Sequence, residues 1–204
     1  MHLTIFYTPI TKQLLRLISF LYLKMIGWRV HGAAPKETTF IVLAGPHTSN
    51  WDFPLMIACA SLIGVKPYWM GKKAIFFFPL GWFFKWLGGI SIDRSKSNSV
   101  VTQMVTIFDN ADELCVLIPP EGTRKRREQW KTGFYHIAVQ AKIPLVLGYV
   151  DYGKKIGGFA EVYWPTDDVE ADMRYIQNFY ASKGARYPAE FAGEYIDPDG
   201  ADPQ

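Results

Sequence analysis

The 204 residues carry 22 Lys and Arg against 19 Asp and Glu, a formal net charge of +3, and no basic run is interleaved along a helix as a nucleic-acid footprint requires. Hydrophobic residues make up 49% and charged residues 20%, which excludes a disordered or fibrous chain and fits one domain with a sizeable core. The two cysteines, Cys59 and Cys115, both lie in strongly apolar surroundings, so they read as core residues in a reducing setting and not as a disulfide framework.

In chain order, the first element is a helix. Residues 14–26 are rich in Leu, Phe, Tyr and Met, but Lys12, Arg16 and Lys24 leave the stretch short of the roughly 20 apolar residues that a membrane span needs. It also lacks the pattern of a cleaved signal peptide. The sequence predicts an interfacial amphipathic helix over residues 1–30, apolar face sunk into lipid and basic side chains reaching up to headgroups. A helix packed on the domain core would show much of the same pattern.

Phe40 to Ala44 is a continuous apolar run bounded by turn formers, the pattern of a strand buried on both faces. It delivers His47 to a turn, and Thr48, Ser49 and Asn50 offer caps for a following helix. Residues 75–87 are too interrupted by Pro79, Gly81 and Lys85 to span a membrane, yet very aromatic, and are expected largely at the bilayer interface. Helical spacing of Val100, Val101, Met104, Val105 and Phe108, a buried strand over 114–118, a helix around Phe134 to Ala141 and a strand over 145–147 complete the alternation. Strands alternating with helices imply an α/β fold, a single domain over 31–183 with a largely parallel or mixed sheet flanked by helices. Residues 184–204, rich in Pro, Gly, Asp and Ala, read as an extended or partly disordered tail.

Three clusters carry chemistry. His47 and Asp52, five residues apart, would point away from each other on a regular helix but can meet on a turn. A carboxylate accepting from one ring nitrogen would then free the other as a general base. Capping and turn residues also fill such positions. In Gly88-Gly89-Ile90-Ser91-Ile92-Asp93-Arg94, two glycines allow close backbone approach and Arg94 could hold a phosphate, although a surface Asp93–Arg94 pair would look the same. Pro120-Glu121-Gly122-Thr123-Arg124 ends a buried strand in a rigid turn, with Glu and Arg placed in a way an ordinary Pro-Gly turn does not require.

In their order and spacing, these blocks together with Ile143-Pro144 resemble the four motifs of the glycerolipid acyltransferase family, in particular bacterial relatives of lysophosphatidic acid acyltransferases. The likeness spans residues 40–150. It implies that His47 is the general base and Asp52 its orienting partner. Arg94, Glu121, Gly122, Thr123 and Arg124 would form the acceptor site, joined by Lys131 from a Lys-x-Gly that ends at Gly133. Pro144 would lie on the acyl-donor side. Pro46, Pro119, Ser91 and Asp93 depart from the usual pattern, and Asp93 beside Arg94 leaves open whether the acceptor bears a phosphate.

The expected reaction passes a fatty acyl group from acyl-CoA or acyl carrier protein to a hydroxyl of a lysophospholipid or related lipid, with nearby backbone amides holding the oxyanion. Neither cysteine has a basic neighbour and Ser49 is not in a nucleophile elbow, so no covalent intermediate is expected. Apart from the acyl carrier as co-substrate, no cofactor or metal is expected, because the four histidines lack ligand spacing. A non-catalytic lipid-binding module and an acyl thioesterase are the rival readings. Clustered basic residues, among them Lys72, Lys73 and Lys131, and the apolar segments place the chain on a membrane surface, expected to be the cytoplasmic face of the inner membrane.

Overall fold

A computed structural model describes residues 3–93, 97–122 and 130–191. Helix α1 (Pro9–Met25) opens with proline in its first turn, where a missing N–H removes no intrahelical bond. It is followed by β1 (Arg29–His31), β2 (Thr39–Gly45), α2 (Asp52–Ile63), β3 (Pro67–Lys72), a 3-10 turn at Lys73–Ile75, α3 (Leu80–Trp86) and β4 (Gly89–Ile92). Then come α4 (Ser97–Asp109), β5 (Leu114–Ile118), α5 (Gly133–Ala141), β6 (Leu145–Asp151), β7 (Ile156–Tyr163) and α6 (Val169–Ala181).

The seven strands form one sheet in the order β1-β7-β6-β2-β5-β3-β4. From β6 to β4 every neighbouring pair is parallel, and the reversal comes at β6–β7, which is antiparallel. The expected largely parallel α/β sheet is therefore present, with a reversed edge formed by β7 and its parallel partner β1.

Continuous apolar runs form the central strands because both faces of the sheet are covered. Along β2, Ile41 and Leu43 face a core built with Met104 of α4, Phe134 of α5 and Ile176 of α6. Phe40 and Val42 face the other core, with Leu23 of α1 and Leu55 and Met56 of α2. Cys59 and Cys115 are buried in that second core as free thiols. Burial pushes the Cys59 thiol up to about 12 and that of Cys115 higher still.

One local expectation changes. The residues Thr48, Ser49 and Asn50 do not cap α2, whose N-cap is Trp51 without a side-chain cap bond. The bonding runs the other way: Asp52, the first helical residue, reaches back to the Thr48 and Ser49 amides. Residues 184–191, at the start of the tail, fold back on the domain: the Gly184 carbonyl accepts from the Tyr152 amide at 2.8 Å and the Tyr187 amide donates to Thr48 Oγ1 at 3.2 Å.

Of the segments expected at lipid, α1 buries Ser19 and Leu23 against the domain and leaves Leu14, Leu17, Ile18, Phe20 and Leu21 exposed. The aromatic stretch divides in two. Phe76 and Phe84 pack around Trp69 at ring distances of 6.2 and 6.3 Å. Phe77, Phe78 and Trp82 are 58%, 90% and 65% exposed. Among the described residues, no helix is long and apolar enough to cross a membrane.

Candidate active site

His47 stands just beyond the carboxyl end of β2, and Pro119 to Gly122 beyond that of β5, its neighbour. Ligand crevices of open α/β sheets form at these strand ends. The Asp52 carboxylate organises the turn. Its Oδ2 accepts the amides of Thr48 at 2.8 Å and Ser49 at 2.7 Å and lies 3.3 Å from His47 Nδ1. Its Oδ1 accepts the Tyr152 hydroxyl at 2.7 Å. Asp52 is buried at the N-terminus of α2, where the helix dipole favours negative charge, while the His47 side chain remains 22% exposed. Nδ1 facing Asp52 leaves Nε2 as the imidazole nitrogen that can take up a proton.

Glu121 couples the two turns. Its Oε1 accepts the His47 amide at 2.8 Å across 74 positions, and its buried Oε2 has no hydrogen-bond partner among the described residues. Burial pushes this carboxyl up to about 7, although the His47 amide pulls it in the opposite direction. Gly122 closes the turn by donating to the Pro119 carbonyl at 3.1 Å, with φ +66. A side chain there would be strained, and its Cβ would lie 3.0 Å from Lys131 Cδ.

The structure thus brings His47, Asp52, Glu121, Gly122 and Lys131 together, and all but Glu121 line one cleft of about 860 Å³. Its walls are mostly apolar: Phe53 and Met56 from α2, Trp69 and Met70 from β3, Val100 and Val101 from α4. The exposed His136 of α5 joins Lys131 on the lining. Arg94, Thr123 and Arg124 lie outside the described residues. Pro144 is not brought to the site. It precedes β6 and its carbonyl accepts the Ile41 amide at 3.1 Å, at the amino end of the parallel strands and so away from His47.

Four backbone amides near the His47 side chain are already engaged. Those of Thr48 and Ser49 bind Asp52, that of His47 binds Glu121, and that of Gly122 closes its own turn. Ser49 Oγ accepts the Trp51 amide at 3.1 Å and the side chain is buried, so it is not presented as a nucleophile. Sequence reasoning missed Tyr152 because it lies 100 positions from Asp52 and no spacing rule connects them.

Comparison with known proteins bears on the family and the fold. A family model described as Acyltransferase matches residues 27–147. The 1-acyl-sn-glycerol-3-phosphate acyltransferase alpha of Homo sapiens is 28% identical over 145 residues, covering 65% of this chain and 48% of the relative. The 1-acyl-sn-glycerol-3-phosphate acyltransferase of Saccharomyces cerevisiae is 32% identical over 83 residues, covering 37% of this chain and 27% of the relative. The chain therefore spans about half the length, or less, of these curated relatives. Its fold resembles the crystal structure of the 1-acyl-sn-glycerophosphate acyltransferase PlsC of Thermotoga maritima, with a TM-score of 0.57 at 14% identity, covering 83% of this chain and 76% of that one. With more than half of its length matched by the family model and its fold shared with a solved acyltransferase, this chain belongs to the Acyltransferase family.

Proposed function

We propose that the chain transfers a fatty acyl group from an acyl thioester, acyl-CoA or acyl carrier protein, to a hydroxyl of a lysophospholipid or related lipid. The observation that carries this reading is the His47–Asp52 pair, with Nδ1 3.3 Å from the carboxylate, on the wall of a large apolar cleft. His47 Nε2 takes the proton of the acceptor hydroxyl as its oxygen attacks the thioester carbonyl. The tetrahedral intermediate then collapses, the C–S bond breaks, and the imidazolium returns the proton to the departing thiolate. Asp52 holds the ring and stabilises its charge, and the acyl chain occupies the cleft beside Met70 and Val101. Lys131, on the cleft lining, serves the anionic groups of donor or acceptor, with Arg94, Thr123 and Arg124 assigned there by family likeness. The engaged Ser49 hydroxyl and the two buried thiols support direct transfer without an acyl-enzyme.

Catalysis takes place on a membrane surface, at the cytoplasmic face of the inner membrane. Support comes from the exposed apolar residues of α1 and from Lys12, Arg16 and Lys24, which are exposed on the same helix. Purified protein incubated with a labelled acyl thioester, with and without a panel of lysophospholipids, tests the reading. Acceptor-dependent transfer supports it. Release without acceptor would make the chain a thioesterase, and binding without turnover a lipid-binding module.

A further inference from the structure

We infer that Tyr152 is a positioning residue for the His47–Asp52 pair, held in place by the chain segment from Gly184 to Tyr187. The inference rests on His47 being the general base.

The two oxygens of Asp52 are engaged from different parts of the chain. Oδ2, which faces His47 Nδ1, is held by two amides of its own turn. The last torsion of an aspartate is broad, so fixing that oxygen toward the imidazole also depends on what holds the other one. Among the described residues, the donor at Oδ1 is the Tyr152 hydroxyl, at 2.7 Å. Tyr152 follows the last residue of β6. Its ring stands edge-on to Trp28, centroids 5.0 Å apart and planes at 85°. Burial, with the Asp52 contact, pushes its phenol well above the ordinary value, so it remains a proton donor throughout the neutral range.

The segment that follows α6 contacts both sides of this arrangement. The Gly184 carbonyl accepts from the Tyr152 amide, and the Tyr187 amide donates to Thr48 Oγ1 inside the catalytic turn. The Arg186 guanidinium lies 5.7 Å from the Tyr152 ring centroid and 5.9 Å from that of Trp51. One short stretch of chain therefore fixes the tyrosine and the turn relative to each other. Tyr152 acts through Asp52 and does not touch the reacting atoms.

Tyr152→Phe removes the hydroxyl and keeps the ring contacts. The expected result is a fall in kcat of about tenfold, with KM for thioester and acceptor within about twofold and Tm nearly unchanged. In an Asp52→Asn background, followed with a radiolabelled donor, the same change should have less than about a twofold effect, because a residue acting through the carboxylate is non-additive with it. If Tyr152→Phe destabilises the fold, Arg186→Ala takes its place, with a fall of about threefold in kcat that also vanishes with Asp52→Asn. Wild-type turnover in Tyr152→Phe, where His47→Ala is inactive, overturns the inference, as does a loss that multiplies with Asp52→Asn. An active His47→Ala would instead show that the reading of the site itself had failed.

Discussion

The Glu121 carboxylate accepts the His47 amide with one oxygen, and its other oxygen is buried without a partner among the described residues. Such an atom costs stability when the group is ionised, which is why burial drives this carboxyl from 4.5 up to about 7. With the folded-state value raised, the native state binds more protons than the unfolded one between those limits. The contribution is present in full below about 4.5 and is lost as pH rises through about 7, a difference on the order of 3 kcal/mol. Glu121→Gln keeps an acceptor for the His47 amide and abolishes the titration. Its Tm relative to wild type should therefore rise by several degrees between pH 5 and pH 8. Parallel Tm–pH curves for the two proteins would show that Glu121 is solvated or partnered in solution.

His47→Ala should lower kcat by about 10²–10⁴-fold if His47 is the proposed general base, with an intact fold because its side chain is 22% exposed and belongs to neither core. Circular dichroism and thermal melts check the fold, and steady-state kinetics the loss. Turnover within about threefold of wild type would remove His47 from the mechanism.

Val101 lines the cleft from α4, and a larger side chain there shortens the space proposed for the acyl chain. Val101→Phe is expected to shift preference from long-chain toward short-chain donors by about tenfold in the ratio of kcat/KM values, corresponding to the roughly 1–3 kcal/mol of overpacking. A ratio that does not move means the chain lies elsewhere.

The aromatic segment offers a test of membrane binding that spares the core, because Phe77, Phe78 and Trp82 are its most exposed aromatic residues while Phe84 packs on Trp69 and Phe76. The protein should float with anionic liposomes. Raising salt to about 1 M, where the Debye length is about 3 Å, should weaken that binding without abolishing it. Replacing Phe77, Phe78 and Trp82 together by Ser should reduce flotation and activity on vesicles while sparing activity on acceptor in detergent. Normal flotation of the triple variant would mean that these rings do not meet lipid.

The central strands and the two turns could be read from the sequence because their signals are local: unbroken apolar runs for β2 and β5, and an imidazole five positions from a carboxylate. What escaped depends on partners distant in the chain. Strand β7 combines Gly157, Gly158 and Glu161, and takes its shape from pairing with β6 and β1. Helix α6 is largely polar on its outer face. A capping aspartate, Asp168, accepting from the Ala171 amide at 3.0 Å, was its readable mark. The contrary behaviour of Thr48, Ser49 and Asn50 has the same origin, since the buried carboxylate of Asp52 claims two of the amides that would otherwise await a cap. Tyr152 and Gly184 to Tyr187 came into view when the sheet set the end of β6 beside α2.

The Asp52 carboxylate draws two of its donors from residues within four positions of itself, whereas much of the cleft wall, apart from Phe53 and Met56 of α2, is contributed by β3, α4 and α5. Much of the cleft wall is therefore encoded in stretches of the gene apart from the turn that holds His47 and Asp52. A descendant could exchange Met70, Val100 or Val101 one at a time, acquiring a differently shaped cleft, while the six residues from His47 to Asp52 passed unchanged from one lineage to the next.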